Sequence, residues 1–149
     1  MGEGYVARPY AEPMAHPPRY RDDDPLLAQV RAICLAFPEA AERISHGHPN
    51  FFTKKVFAVF GGIVKGDHAA DTFSQSMLFL PDPPEREALL GDERFFVPAY
   101  YGPSGWLGVN LRLDPDWTEV AELADMSYRN TAAKRLIALL DAQTPEEHP

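Results

Sequence analysis

His46 and His48 are the residues whose type and spacing come closest to a reactive site, because only Gly47 separates them. On an extended chain two such imidazoles point the same way, and imidazole nitrogens bind several transition metals. A stable metal site needs a third or fourth ligand. The candidates for that ligand are Asp67, His68 and Asp71. We favour a turn whose imidazoles bond to the backbone, and we predict no metal site and no cofactor.

Ser45 precedes His46, which suggests a serine nucleophile beside a histidine base. That chemistry needs the two side chains to face each other and a third group to orient the base. Neighbours in sequence do not normally meet in that way. The chain also contains no GxGxxG and no GxxxxGK[ST] pattern for holding nucleotide phosphates. No catalytic constellation is recognisable, and we predict that the protein is not an enzyme.

A second glycine-rich stretch, residues 100–111, combines aromatic side chains with a short apolar run. Basic residues next to aromatic ones can contact phosphates and stack on bases. The residues selected for nucleic-acid binding on this ground are Lys54, Lys55, Arg112, Lys134, Arg135, Tyr101 and Trp106. The competing interpretation, which spacing alone favours, makes Trp106 a core residue and the lysines a solubilising hairpin tip.

Apolar spacing predicts the elements that position these residues. Asp23 or Asp24 caps a helix over residues 25–37, and Pro25 suits its first position. The predicted strands cover residues 51–52, 56–60 (continued at 63–64 through a bulge), 76–80, 95–97 and 106–113. Residues 39–43 form a polar connection, and further helices cover 83–90, a long stretch capped by Asp114, and 133–140. This order indicates an α+β fold, an antiparallel twisted sheet with N- and C-terminal helices packed on one face.

Length and composition indicate one soluble domain. The chain has 149 residues, of which 45% are hydrophobic and 24% charged, and this suffices for a single core. We predict a disordered or loosely docked tail at residues 1–24, the domain at 25–141 and a flexible C-terminus at 142–149. No apolar run approaches the roughly 18 residues that cross a membrane, and no secretory signal is recognisable.

Charge and cysteine content narrow the classes of function. The formal net charge of −8 weighs against a simple nucleic-acid binder, because phosphate contact needs clustered Lys and Arg. The single cysteine, Cys34, cannot form an internal disulfide, and its apolar helix face predicts a buried, inert thiol. These features together indicate a cytoplasmic protein.

Several short motifs follow one another in a specific order between residues 25 and 140. The main ones are Ser45-His46-Gly47-His48-Pro49-Asn50-Phe51, Gly105-Trp106-Leu107-Gly108-Val109 and Ser127-Tyr128-Arg129. In this order the chain resembles the MmcQ/YjbR family. The resemblance implies a CyaY (frataxin)-like domain, no established enzyme activity, and a proposed DNA-binding role through a "double wing" of hairpins.

Two hypotheses about function follow. The first is weak binding of DNA through the hairpin wings, with phosphate contacts from the basic residues named above and with Tyr101 and Trp106 shaping or stacking at a wing. The second is a pocket beside His46, Gly105 and Trp106 that binds a small organic anion or a side chain of a partner protein. The two hypotheses differ in whether the basic residues must cluster on one face of the fold.

Overall fold

The computed structural model describes residues 18–66 and 71–143. Predictions that fall on residues 1–17, 67–70 and 144–149 lie outside the described residues, among them most of the predicted tail and the candidate ligands Asp67 and His68. The strands are β1 (Ala41–Ser45), β2 (His48–Phe52), β3 (Val56–Phe60), β4 (Ser76–Phe79), β5 (Phe95–Phe96) and β6 (Leu107–Asn110). The helices are α1 (Pro25–Cys34), α2 (Pro83–Leu90), α3 (Trp117–Thr131) and α4 (Lys134–Gln143), with a 3-10 turn at Gly102–Ser104.

The strands form one sheet in the order β1-β2-β3-β4-β6-β5, and every neighbouring pair is antiparallel. Buried residues of α1, α3 and α4 join the same core cluster as residues of the sheet. The predicted α+β class, with terminal helices on one face of an antiparallel sheet, is confirmed. The CyaY-like arrangement stays a prediction from the resemblance. Within the described ranges, no helix is both long and apolar enough to cross a membrane.

The sheet has a buried cluster on each face, because successive residues of a strand point to opposite sides. Met77 and Phe79 of β4 pack with the helices, whereas Leu78 between them belongs to a second cluster. Phe95 and Phe96 divide in the same way. The second cluster is smaller. Its buried members are Val59, Leu78, Phe96 and Trp106. Loop residues cover this face of the sheet, and they leave room there for a cavity.

Helix α1 begins as the sequence predicts. Asp24 is the N-cap, its side chain accepts a hydrogen bond from Leu26 N at 2.9 Å, and Pro25 takes the first helical position. The helix ends at Cys34, three residues earlier than predicted. Cys34 is fully buried, and burial raises the pKa of its thiol far above the ordinary value. The prediction that Cys34 is buried is confirmed.

The polar connection predicted at residues 39–43 is wrong, because Ala41–Ser45 is the edge strand β1. Its side chains are mostly exposed, so it lacks the apolar alternation that marks a strand in sequence. Two side-chain contacts help to hold β1 in place. Arg31 of α1 pairs with Glu42 at 2.9 Å, and the Arg43 guanidinium lies 4.2 Å from the centroid of the Phe52 ring.

Two further boundaries differ from the prediction. Residues 63–64 do not continue a strand, and β6 ends at Asn110 rather than at residue 113. The cap of the long helix is Asp116, whose carboxylate accepts from Thr118 N at 3.0 Å, and not Asp114. Asp114 instead has a φ of 52°, a left-handed conformation that suits the turn before the helix.

The motif Ser127-Tyr128-Arg129 anchors α3 to the rest of the fold. The buried Ser127 hydroxyl donates to Phe57 O at 2.6 Å and accepts from Leu80 N at 2.8 Å, which joins the helix to two central strand regions. The Tyr128 hydroxyl donates to Pro38 O at 2.8 Å. Because buried polar groups are costly unless paired, these bonds fix how the helix lies on the sheet. Packing of α3 on the sheet therefore explains Ser127 and Tyr128 of this motif.

Candidate functional site

A cavity of about 460 Å³ opens on the second face of the sheet. Val59 and Leu78, from the centre of β3 and β4, form its apolar floor together with Gly61 and Gly62. The polar and aromatic lining comes from three other segments. These are the turn between β1 and β2, the segment before β6, and residues 18–24, which precede α1 and are called the arm below. The site therefore depends on parts of the chain that are far apart in sequence.

The turn between β1 and β2 consists of His46 and Gly47, and the last paired residues are Ser45 and His48. Both turn residues have positive φ, 54° for His46 and 83° for Gly47, as the tight hairpin turn requires. His46 is exposed and lines the cavity. Its Nδ1 lies 3.1 Å from Ser45 Oγ, so these two neighbours do meet, contrary to the sequence argument.

His48 also lines the cavity, and a hydrogen bond to the backbone of β3 fixes its ring. Its Nδ1 donates to Phe60 O at 3.2 Å, so in the neutral ring Nε2 is left as an acceptor. The imidazole lies directly against Gly61, which has a φ of 114°. A Cβ at residue 61 would overlap the His48 ring. Glycine is needed here for both the backbone conformation and the close approach of the imidazole.

Tyr100 and Tyr101 form the aromatic wall. The segment is tied to the cavity floor by Ala99 N, which donates to Ile63 O at 2.8 Å. Tyr100 is 74% exposed and has a φ of 71°, an uncommon conformation for a bulky residue. Tyr101 is half-buried, its ring centroid lies 5.4 Å from that of Trp106, and burial raises the pKa of its hydroxyl. Tyr101 therefore presents a neutral phenol at neutral pH.

The arm brings an arginine to the same cavity. Arg19 lines it, and the backbone N–H of Arg19 donates to Gly47 O at 2.9 Å. The lining thus contains one arginine, two imidazoles and two phenols, and no carboxylate among the residues described. An arginine donates hydrogen bonds and attracts negative charge, and the apolar floor favours an organic ligand.

The basic residues predicted for nucleic acid are spread over the fold. Lys54 and Lys55 are exposed in the β2–β3 turn, at the end of the sheet where β3 begins. Arg112 follows β6 at the opposite end, since Asn110 pairs with Ser76 at the start of β4. Its guanidinium donates to Gln75 Oε1 at 2.7 Å and to Ser74 Oγ at 3.1 Å.

Lys134 and Arg135 begin α4, which packs on the helix side of the sheet. Both are exposed, and Arg135 forms two 2.9 Å hydrogen bonds with the Glu39 carboxylate. Together with the positions of the lysine pair and Arg112, this places the selected bases in three separate regions. These basic residues therefore do not form one continuous phosphate-binding surface.

Of the predicted ligand-binding residues His46, Gly105 and Trp106, only His46 lines the cavity. Trp106 is 9% exposed and packs in the second cluster, where it supports Tyr101. Gly105 has a φ of 95° and ends the 3-10 turn that precedes Trp106. The sequence interpretation missed Arg19, His48 and Tyr100 as cavity residues. A signal existed for His48 in its alternation with His46, but none existed for Arg19.

The described residues contain no group of three or more His, Cys, Asp or Glu side chains that could hold a metal ion. Asp71, one of the candidate ligands, lies 3.9 Å from the Arg112 guanidinium. A lone pair of histidines is a weak cation site. With Arg19 on the same lining, the cavity chemistry suits an anion better than a cation.

Comparisons with known proteins agree with this fold. The YjbR family model matches residues 35–130. Among solved structures, the Deinococcus radiodurans protein DR2400, described with the domain DUF419, is similar with a TM-score of 0.56 and 17% identity. The alignment covers 76% of this chain and 86% of that chain, and at this identity the likeness shows the fold alone. No curated protein matches. The chain belongs to the YjbR family.

Proposed function

We propose that this YjbR-family domain binds a small organic anion in the cavity on the second face of the sheet, and that its role is binding rather than catalysis. The observation that carries the proposal is the composition of the lining. Arg19 supplies hydrogen-bond donors, His46 and His48 supply ring nitrogens, Tyr100 and Tyr101 supply aromatic surface, and no described carboxylate on the lining opposes an anion. The volume of about 460 Å³ lies within the roughly 300–1,000 Å³ typical of small-molecule sites.

Backbone strain at the cavity supports the proposal. Tyr100 has a left-handed φ of 71° and lines the cavity. A non-glycine residue in such a conformation costs about 1–3 kcal/mol and tends to occur at ligand-binding positions. Tyr100 is 74% exposed, and its position on the lining allows its ring to contact a ligand in the cavity.

Tyr100→Gly is expected to weaken anion binding about three- to tenfold, through loss of one aromatic contact. The free energy of unfolding should stay within about 1 kcal/mol of the parent value, because relief of the left-handed strain offsets the greater flexibility of glycine. Binding is measured by calorimetry and NMR titration with benzoate, 2-naphthoate and 4-nitrophenyl phosphate. Shifts of the His46 and His48 ring signals report whether the anion occupies the cavity.

The matched control carries Lys54→Glu and Lys55→Glu, at the other end of β2 from His46. Its affinity for the anions should be close to that of the parent protein. The proposal is wrong if no small anion binds, or if anions bind without moving the histidine signals.

DNA binding is the second candidate, and the exposed Lys54–Lys55 hairpin tip is the observation that favours it. The dispersed positions of Arg112, Lys134 and Arg135 weigh against DNA binding, because phosphate contacts add up only along a shared surface. If the tip does contact phosphates, the double charge reversal at Lys54 and Lys55 should flatten the log–log salt dependence by nearly two units, about 0.9 for each lost contact. Folding stability should hardly change, since both side chains are exposed.

The measurement is fluorescence anisotropy with labelled single- and double-stranded DNA at several salt concentrations. Parent affinity should be on the order of 10⁻⁵ M, within the usual non-specific range. Tyr100→Gly is the control, because the cavity and the hairpin tip are at different ends of β2. An absence of salt-dependent binding by the parent protein at low ionic strength would remove the DNA candidate.

A further inference from the structure

We propose that the arm is a working part of the binding site and that Arg19 selects a planar aromatic carboxylate as the ligand. The inference rests on the proposed function, because it names the ligand class and the selecting residue of the same cavity. The sequence predicts a disordered or loosely docked tail at residues 1–24. Within the described part of this segment, residues 18–24, Arg19 lines the cavity.

The arm is attached at several points along its length. Asp22 pairs with Arg31 of α1 at 2.8 Å. Asp24 is only 9% exposed and accepts from Gln75 Nε2 at 2.8 Å as well as capping α1. At the other end, Arg19 N donates to Gly47 O at 2.9 Å. Tyr20 packs against the main core between these attachments. The backbone that carries Arg19 is therefore held beside the β1–β2 turn.

Arg19 is the one arginine among the described residues that line the cavity. A guanidinium remains protonated at all physiological pH values and can bind a carboxylate through two parallel hydrogen bonds. The imidazoles of His46 and His48 line the same cavity, His46 in the β1–β2 turn and His48 directly after it. An anionic group is thus expected at the end of the cavity formed by the arm and the turn.

The rest of the lining favours a flat apolar body. Val59 and Leu78 provide an apolar floor, and Gly61 and Gly62 add backbone to the same lining. Tyr101 adds a ring that is already packed against Trp106. Aromatic ligands stack well on such surfaces. One guanidinium next to a mostly apolar cavity suits a singly charged carboxylate better than a phosphate group, which carries more charge and more acceptor atoms.

The test compares 2-naphthoate with its uncharged analogue 2-naphthamide by titration calorimetry on the full chain. The parent protein should bind the carboxylate about tenfold or more tightly than the amide, as expected for a charge-assisted contact. Arg19→Gln should remove most of this preference while leaving binding of the amide nearly unchanged. Thermal unfolding of each variant shows whether the fold is retained.

Arg21→Gln is the matched control from the same arm. Arg21 pairs with Asp23 at 3.0 Å, is 81% exposed and does not line the cavity. Its removal should leave the preference for 2-naphthoate within about twofold of the parent value. The comparison separates a direct contact of Arg19 with the ligand from a general loss of positive charge in the arm.

The outcomes distinguish this inference from the proposed function. If 2-naphthoate binds in the cavity and Arg19→Gln keeps the full preference over the amide, the role of Arg19 is overturned and the cavity remains an anion site. If 4-nitrophenyl phosphate binds more tightly than 2-naphthoate and depends on Arg19, the carboxylate assignment is overturned. If none of these anions binds, the proposed function fails and the inference fails with it.

Discussion

Trp106→Ala is expected to lower the free energy of unfolding by about 3–5 kcal/mol, the range for removal of a large buried aromatic side chain. Trp106 is 9% exposed and packs with Val59, Leu78 and Phe96. These residues form the smaller of the two buried clusters, so few neighbours can rearrange to fill the space. The loss should appear in urea unfolding followed by circular dichroism, since removal of Trp106 changes the fluorescence signal itself.

Trp106→Phe is the conservative variant for comparison. It keeps an aromatic ring beside Tyr101 and should lose clearly less stability than Trp106→Ala. The weakened support for Tyr101 should also reduce anion binding in the alanine variant. A Trp106→Ala protein as stable as the parent, but unable to bind ligand, would contradict the packing role and make Trp106 a ligand-contacting residue.

Gly61→Ala is expected to lower the free energy of unfolding by about 3 kcal/mol, because two penalties add. The φ of 114° is unfavourable for any residue with a Cβ, at about 1–3 kcal/mol. The new methyl group would also overlap the His48 imidazole, and overpacking costs about 1–3 kcal/mol. Displacement of the ring should break the bond from His48 Nδ1 to Phe60 O, and with it the shape of the cavity.

Gly66→Ala separates these two penalties. Gly66 has a φ of 85°, and a Cβ there would meet no atom of the described residues within 4 Å. Its substitution should therefore cost only the backbone strain, about 1 kcal/mol, and should leave the His48 ring signal in NMR spectra unchanged. Equal losses of stability for the two variants in urea unfolding would show that His48 does not pack against Gly61 as described.

Local features of the fold could be predicted from sequence because their causes lie within a few residues. The start of α1 follows from Asp24 and Pro25, whose capping and φ preferences act on the adjacent turn. Strands β3 and β4 follow from short apolar runs between turn residues. The family likewise follows from short motifs. Ser127 and Tyr128 of the α3 motif form hydrogen bonds that anchor this helix. Because such motif residues serve packing, membership of the family identifies the fold and leaves the function open.

Features that depend on partners distant in sequence were not predictable in the same way. Strand β1 is polar, and it is a strand because β2 pairs with it and Arg31 holds Glu42. The sheet order also separates Lys54 and Lys55 from Arg112, although all three lie next to strands.

By itself the sequence determined the helix caps, the apolar strands, the buried Cys34 and membership of the family, because each depends on neighbouring residues or on a short motif. Only the tertiary structure decided the candidate site. Arg19, His48 and Tyr100 come from three segments with no shared pattern, and they meet because loops and the arm cover the second face of the sheet. The lining and shape of the cavity depend on contacts between segments that are distant in sequence. No local periodicity in the sequence encodes such contacts.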